Sequence, residues 1–188
     1  MPSDREIFFH EDDYCQQQLL PAAAAAYAQS ELLKIGDFAD RHRATGGAGW
    51  TDLYIRRETP PPLRTLQIPK VDLDRIFTQF LHRFDKVYTG YSSYREACRN
   101  TAAWGICVSS VLFADWDDAG IIQNIWTHLF NPEDSAISAA AGAIAMLCKF
   151  HPLIFVDWEW GYVCDAGYLL TFASMLRSKL GTIANQRN

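Results

Sequence analysis

The chain has 188 residues, a formal charge of −5, 49% hydrophobic and 21% charged residues, a balance that fits one globular domain over 1–188 and excludes a disordered or fibrous chain. No run approaches the roughly 18 apolar residues of a membrane span, and Met1-Pro2-Ser3-Asp4-Arg5-Glu6 lacks the basic and apolar regions of a secretory signal. Cys15, Cys98, Cys107, Cys148 and Cys164 stand far apart with no C-x-x-C pair, so neither a disulfide framework nor a zinc site is expected, and the chain reads as cytoplasmic with reduced thiols.

In chain order, Glu6 to His10 reads as a strand, Glu11-Asp12-Asp13 as a polar turn, and Tyr14 to Leu20 as the return strand, ended by Pro21. Ala22 to Ala28 favours helix, and Ser30 opens a second helical piece that Gly36 weakens. Gly46, Gly47 and Gly49 mark a loop. Trp50 to Arg57 alternates as a strand should, and Thr59-Pro60-Pro61-Pro62 is an extended connector. The spacing of Leu73, Ile76, Phe77, Phe80, Leu81 and Phe84 behind Asp72 predicts a helix over 73–84. Lys86 to Thr89 reads as a strand.

Cys107 to Ala114 and Ile121 to Leu129 are β-rich and flank the turn residues Asp117-Asp118-Ala119-Gly120, which predicts a hairpin. Asn131 and Pro132 open a helix running to about Phe150. Leu153 to Val156 reads as a buried strand, and Asp165 as the cap of a last helix carrying Leu169 to Leu176 and stopped by Gly181. The expectation is an α+β domain: an antiparallel or mixed sheet built from hairpins, with three to four packed helices.

Several motifs invite chemistry. His10-Glu11-Asp12-Asp13 carries ligand types, but four consecutive residues do not converge readily on one ion, so no metal is expected there. The glycine loop ends in Trp50 rather than Gly-Lys-Ser/Thr, so no phosphate loop is expected. Cys148 and His151 fall where a helix gives way to a buried strand, which reads as core. No catalytic residue and no cofactor is assigned.

Two acid-and-tryptophan tetrads stand out: Asp115-Trp116-Asp117-Asp118 and Asp157-Trp158-Glu159-Trp160. Each ends a predicted strand. Neighbouring strand ends would gather their carboxylates at one sheet edge. Such a patch could grip Lys or Arg of a partner, with Trp as anchor. Paired carboxylates could instead do acid–base work, which makes a hydrolase using Asp115, Asp117, Asp157 and Glu159 the alternative. A second segment, Tyr88 to Glu96, offers Tyr91, Tyr94 and Arg95 for adaptable contacts.

Charge is uneven. Between Asn100 and Met175 eight acids face one base, Lys149. That disfavours nucleic acid as a partner and favours a basic protein. In size, acidity and acid–aromatic patches the chain resembles the cytoplasmic immunity proteins of bacterial polymorphic toxin systems. The resemblance implies a non-enzymatic, stoichiometric inhibitor that covers or distorts a toxin's active site, and it carries no site residue over. The eight tetrad residues are read as the interface from their own chemistry, and no membrane role is expected.

Overall fold

The computed structural model describes residues 5–45, 49–91, 93–129 and 133–168. Among these, ten strands and three α-helices form an α+β fold with two sheets. The large sheet has the order β10-β9-β2-β8-β7-β6-β3 and is antiparallel throughout. Its strands are β2 (Gln17–Pro21), β3 (His82–Arg83), β6 (Thr101–Cys107), β7 (Ser110–Trp116), β8 (Ile122–Leu129), β9 (Leu153–Asp157) and β10 (Tyr162–Asp165). The small sheet joins β1 (Glu6–His10) in parallel to β4 (Lys86–Tyr91), which pairs antiparallel with β5 (Tyr94–Ala97).

Side-chain alternation sorts the large sheet into two faces. One carries Leu19, Phe155, Ile125, Ala114, Leu112 and Trp104. It is covered by α2 (Lys70–Phe77) and α3 (Asp134–Cys148). The other face is shared. Over β6, β7 and β8 the small sheet packs Ile7, Phe9 and Val87 onto Ala103, Phe113 and Trp126. Over β2 and β9, α1 (Ala25–Arg41) packs Ala28, Leu32 and Ile35 toward Leu20, Ile154 and Val156.

The hairpin of β7 and β8 forms where the turn residues place it. Asp117 Oδ1 accepts from the backbone N–H of Ala119 and Ile121, both at 3.0 Å, and Gly120 supplies the positive φ of 78° that closes the turn. Other elements depart from expectation. β1 and β2 do not pair; they enter different sheets, because a strand with one apolar face seeks any complementary partner, not the nearest in sequence. The two helical pieces after Pro21 are one helix, α1, and Gly36 is simply an exposed position within it. Trp50 to Arg57 forms no strand; its first residue makes only an isolated antiparallel bridge, to Arg43.

α2 starts after Pro69 and stops at Phe77, well short of Phe84. The apolar spacing from Phe80 onward reports burial, not helix. Leu81 is buried in a turn, Phe80 rests against Gly142, where a Cβ would come within 2.9 Å of its ring, and Phe84 N–H bonds to Ala103 C=O at 3.0 Å beside β3. β6 and β10 carry weak strand signals in sequence, and both pair. Asp165 ends β10 rather than opening a helix within the described residues, and the helix expected over Leu169 to Leu176 lies outside them, as do Asn131 and Pro132. No described helix is long and apolar enough to cross a membrane.

Candidate binding surface

The two tetrads lie at opposite ends of the large sheet. β7 runs parallel to β2, and β9 antiparallel to it, with β8 and β2 between them. Asp115 and Asp157 also point to opposite faces. Asp157 pairs with Gln17 on the helix-covered face, whereas Asp115 pairs with Asn124 on the other. The four carboxylates of the hydrolase alternative therefore do not converge in one pocket.

Individually the tetrad residues have structural partners. Asp115 accepts Tyr14 Oη–H at 2.7 Å and Asn124 Nδ2 at 3.0 Å. Burial pushes its carboxyl above the usual Asp value, against those two hydrogen bonds, which pull it down. Trp116 packs on the main core beneath Lys70, whose Nζ lies 4.9 Å from the ring centroid. Asp117 closes its turn and has Arg64 at 3.9 Å. Asp118 is exposed.

In the second tetrad, Asp157 is fully buried. Its carboxylate accepts Gln17 Nε2 at 3.1 Å and Trp160 N–H at 2.8 Å. Gln17 Oε1 in turn accepts Thr127 Oγ1–H at 3.0 Å, a polar ladder across three strands. Trp158 is buried in the α1 layer under Arg56, 4.3 Å from its ring centroid. Asp157 and Trp158 thus have no free face for a partner, a correction to their reading as interface residues. Glu159 is exposed and Trp160 is 41% exposed.

The structure brings together two other segments that the sequence keeps 80 residues apart. The connection from β1 to β2 is a knuckle. Its single 3-10 turn, Glu11–Asp13, opens with His10 Nδ1 accepting Asp12 N–H at 3.3 Å. Cys15 then adopts the left-handed φ of 56°, which swings the chain from the small sheet to the large one. Burial pushes its thiol up to about 12. Tyr91 and Tyr94, at the end of the β4–β5 hairpin, reach this turn. Tyr91 Oη–H donates to Asp12 Oδ1 at 3.4 Å, and Tyr94 Oη–H donates to Glu11. The Glu11 hydrogen bond pushes the Tyr94 phenol up to about 12, and the Asp12 charge raises that of Tyr91.

His10 packs edge-on to Tyr91 with ring centroids 4.7 Å apart, and His128 Nδ1 lies 3.6 Å from Asp13 Oδ2. Tyr14 continues the surface over Trp126 toward Asp115. Among the described residues, no Lys or Arg forms an ion pair with Glu11, Asp12 or Asp13. Arg95, by contrast, turns away onto the outer face of the small sheet, 3.9 Å from the Tyr88 ring centroid and 3.8 Å from Glu6. The second tetrad adjoins this end of the molecule, because Trp158 N–H bonds to Gln16 C=O at 3.0 Å.

The sequence flags each knuckle segment separately but carries no signal that they meet; β1–β4 pairing creates the site. Among the described residues, no group of three His, Cys, Asp or Glu side chains is arranged to hold a metal ion. No family model matches this chain, and no curated protein or solved structure shows significant similarity to it.

Proposed function

We propose that this chain is a non-enzymatic binding protein that captures a basic protein, most simply as a stoichiometric inhibitor in the manner of toxin immunity proteins. Its interface is the knuckle: Glu11, Asp12 and Asp13 with Tyr14, Tyr91 and Tyr94, extended by Glu159 and Trp160. One observation carries this reading. Three carboxylates stand side by side at a rim, Glu11 and Asp12 held by tyrosine hydroxyls and Asp13 beside His128, without a pairing Lys or Arg among the described residues.

The arrangement supports binding on physical grounds. Uncompensated carboxylates create a negative field that speeds encounter with a cationic surface. Tyrosines add contact area at low entropic cost, and here two are already ordered by their hydrogen bonds. The tetrads fit less well as an interface. Arg64 and Lys70, from the N-terminal half, already engage Asp117 and Trp116.

The test is a panel of purified basic proteins, nucleases included, against the immobilised chain at physiological salt. The proposal expects a one-to-one complex with a member of that class. Its association rate should fall by about tenfold or more for the Glu11→Gln/Asp12→Asn/Asp13→Asn variant, with folding unchanged. A partner that binds the triple variant as fast as the wild type overturns the placement. Absence of any complex across the panel counts against the function.

A further inference from the structure

The segment after Gly49 has strand-like alternation. Trp50 bridges Arg43 and Thr51 N–H bonds to His42 C=O at 2.8 Å, and beyond a bend at Thr51 and Asp52 it has no strand partner among the described residues. From Leu53 to Arg57 it runs without a bend, and its peptide groups from Tyr54 to Arg57 make no backbone hydrogen bond among the described residues. Its even positions are anchored to the domain. Tyr54 Oη–H donates to the buried carboxylate of Glu31 at 2.8 Å, and Arg56 lies over Trp158. Lys34 Nζ, 3.1 Å from the same Glu31 carboxylate, neutralises it. The segment is therefore held, not loose. A cleft of about 530 Å³ separates it from α1.

Its odd positions, Leu53, Ile55 and Arg57, line the mouth of this cleft and are open to solvent. Leu53 is 83% exposed and Ile55 76%, with Trp50 at 62% beside them. An ordered, extended, unpaired segment with solvent-exposed apolar side chains is a template for another strand. Pro60, Pro61 and Pro62 end it.

We infer that this segment is a self-association site, in which residues 52–56 of two copies pair antiparallel about a twofold axis at Tyr54. The charge pattern selects the occupant and the register. A twofold axis at Tyr54 sets Leu53 opposite Ile55 twice and Asp52 opposite Arg56 twice, so apolar meets apolar and each acid meets a base. Because paired residues share a face, the four apolar side chains form one patch and the four charged ones lie on the other side. Moving the axis to Ile55 would set Asp52 against Glu58, and moving it to Leu53 leaves both charges without a counterpart. The contact is small, so the dimer belongs with weak, transient interfaces of less than about 1,200 Å². The site is independent of the knuckle.

Sedimentation equilibrium of the full chain over a concentration series up to about 1 mM tests it, the weak end of the affinity range such an interface gives. The wild type should show a reversible monomer–dimer equilibrium. Leu53→Lys/Ile55→Lys puts Lys opposite Lys twice and should weaken the dimer at least about tenfold. Asp52→Arg puts like charges opposite each other and should weaken it too, whereas Asp52→Arg/Arg56→Asp restores complementarity and should recover it. The Glu11→Gln/Asp12→Asn/Asp13→Asn variant should dimerise like the wild type. A wild type monomeric throughout, a Lys/Lys variant that dimerises unchanged, or a charge swap that fails to recover the dimer while retaining its native fold by circular dichroism would each overturn the inference.

Discussion

Two tetrads of nearly the same composition meet different fates in this molecule, and the difference lies in which face of the sheet each acid takes. In the first, β7 carries Asp115 and Trp116 to a bulged end and hands over to a tight turn. Asp115 stays half-buried, and Asp117 spends its carboxylate on the turn's own N–H groups. In the second, β9 is likewise paired on both sides at its acid, but Asp157 takes the opposite face, that of Phe155 and Leu19, and is drawn inside, and only Glu159 and Trp160 emerge. Composition alone does not make a surface. A carboxylate at a strand end becomes surface, cap or core according to the face it takes and what covers that face.

The comparison breaks most visibly at the tryptophans. Trp158→Ala should cost about 3–5 kcal/mol of stability, the range for a large core aromatic, measured by urea denaturation. Trp160→Ala should cost less than about half of that. Equal effects would mean that the β9–β10 turn is as buried as the strand before it. Phe77→Ala, at a fully buried ring edge-on to Trp104, sets the scale with the same expected 3–5 kcal/mol, or about that.

Asp157→Ala comes next. It leaves Gln17 Nε2 and Trp160 N–H without their acceptor, which should cost about 1–3 kcal/mol. Asp118→Ala, exposed at the opposite end, should change the midpoint by no more than about 0.5 kcal/mol.

Asp115 sharpens the contrast through pH. Burial raises its folded-state value above the ordinary 3.8, so the folded protein holds that proton more tightly than the unfolded chain does. The resulting stabilisation is full below the ordinary Asp value and is lost as pH rises through the raised one. Stability of the wild type relative to Asp115→Asn should therefore fall with rising pH across that window. A difference that grows with pH would show that the Tyr14 and Asn124 hydrogen bonds outweigh burial. The smallest effect concerns thiols: Cys15 and Cys148, both pushed up to about 12 by burial, should resist alkylation at pH 8 until the protein is denatured. Rapid native labelling of Cys15 would mean that the knuckle opens.

What the sequence made legible follows the range of the interactions. The β7–β8 hairpin rests on neighbours in the chain, and Asp117 with Gly120 suffices to specify it. The helix over 134–148 is legible because its Ala-rich run outweighs Ser135, Ser138 and Gly142. The pairing of β1 with β4, which builds the knuckle, joins residues 80 apart, and no local pattern encodes it. β6 hid because Ala102, Ala103 and Gly105 have poor strand propensity; they are small because the strand lies buried between β7 and β3, with Gly105 meeting the Ser110 backbone where a Cβ would sit. The apolar run through Phe84 misled because burial and helical period coincide over Leu73 to Phe77 and part company after it.

The central claim is that the molecule presents its binding charge at the knuckle. A ¹⁵N chemical-shift titration with an Arg- and Lys-rich peptide at low ionic strength tests it without a known partner. The account predicts that the largest shifts fall on the amides of Glu11 to Tyr14, Tyr91 and Tyr94, and that they vanish in Glu11→Gln/Asp12→Asn/Asp13→Asn. Largest shifts at Asp117 and Asp118, or a response that survives the triple substitution, would contradict it.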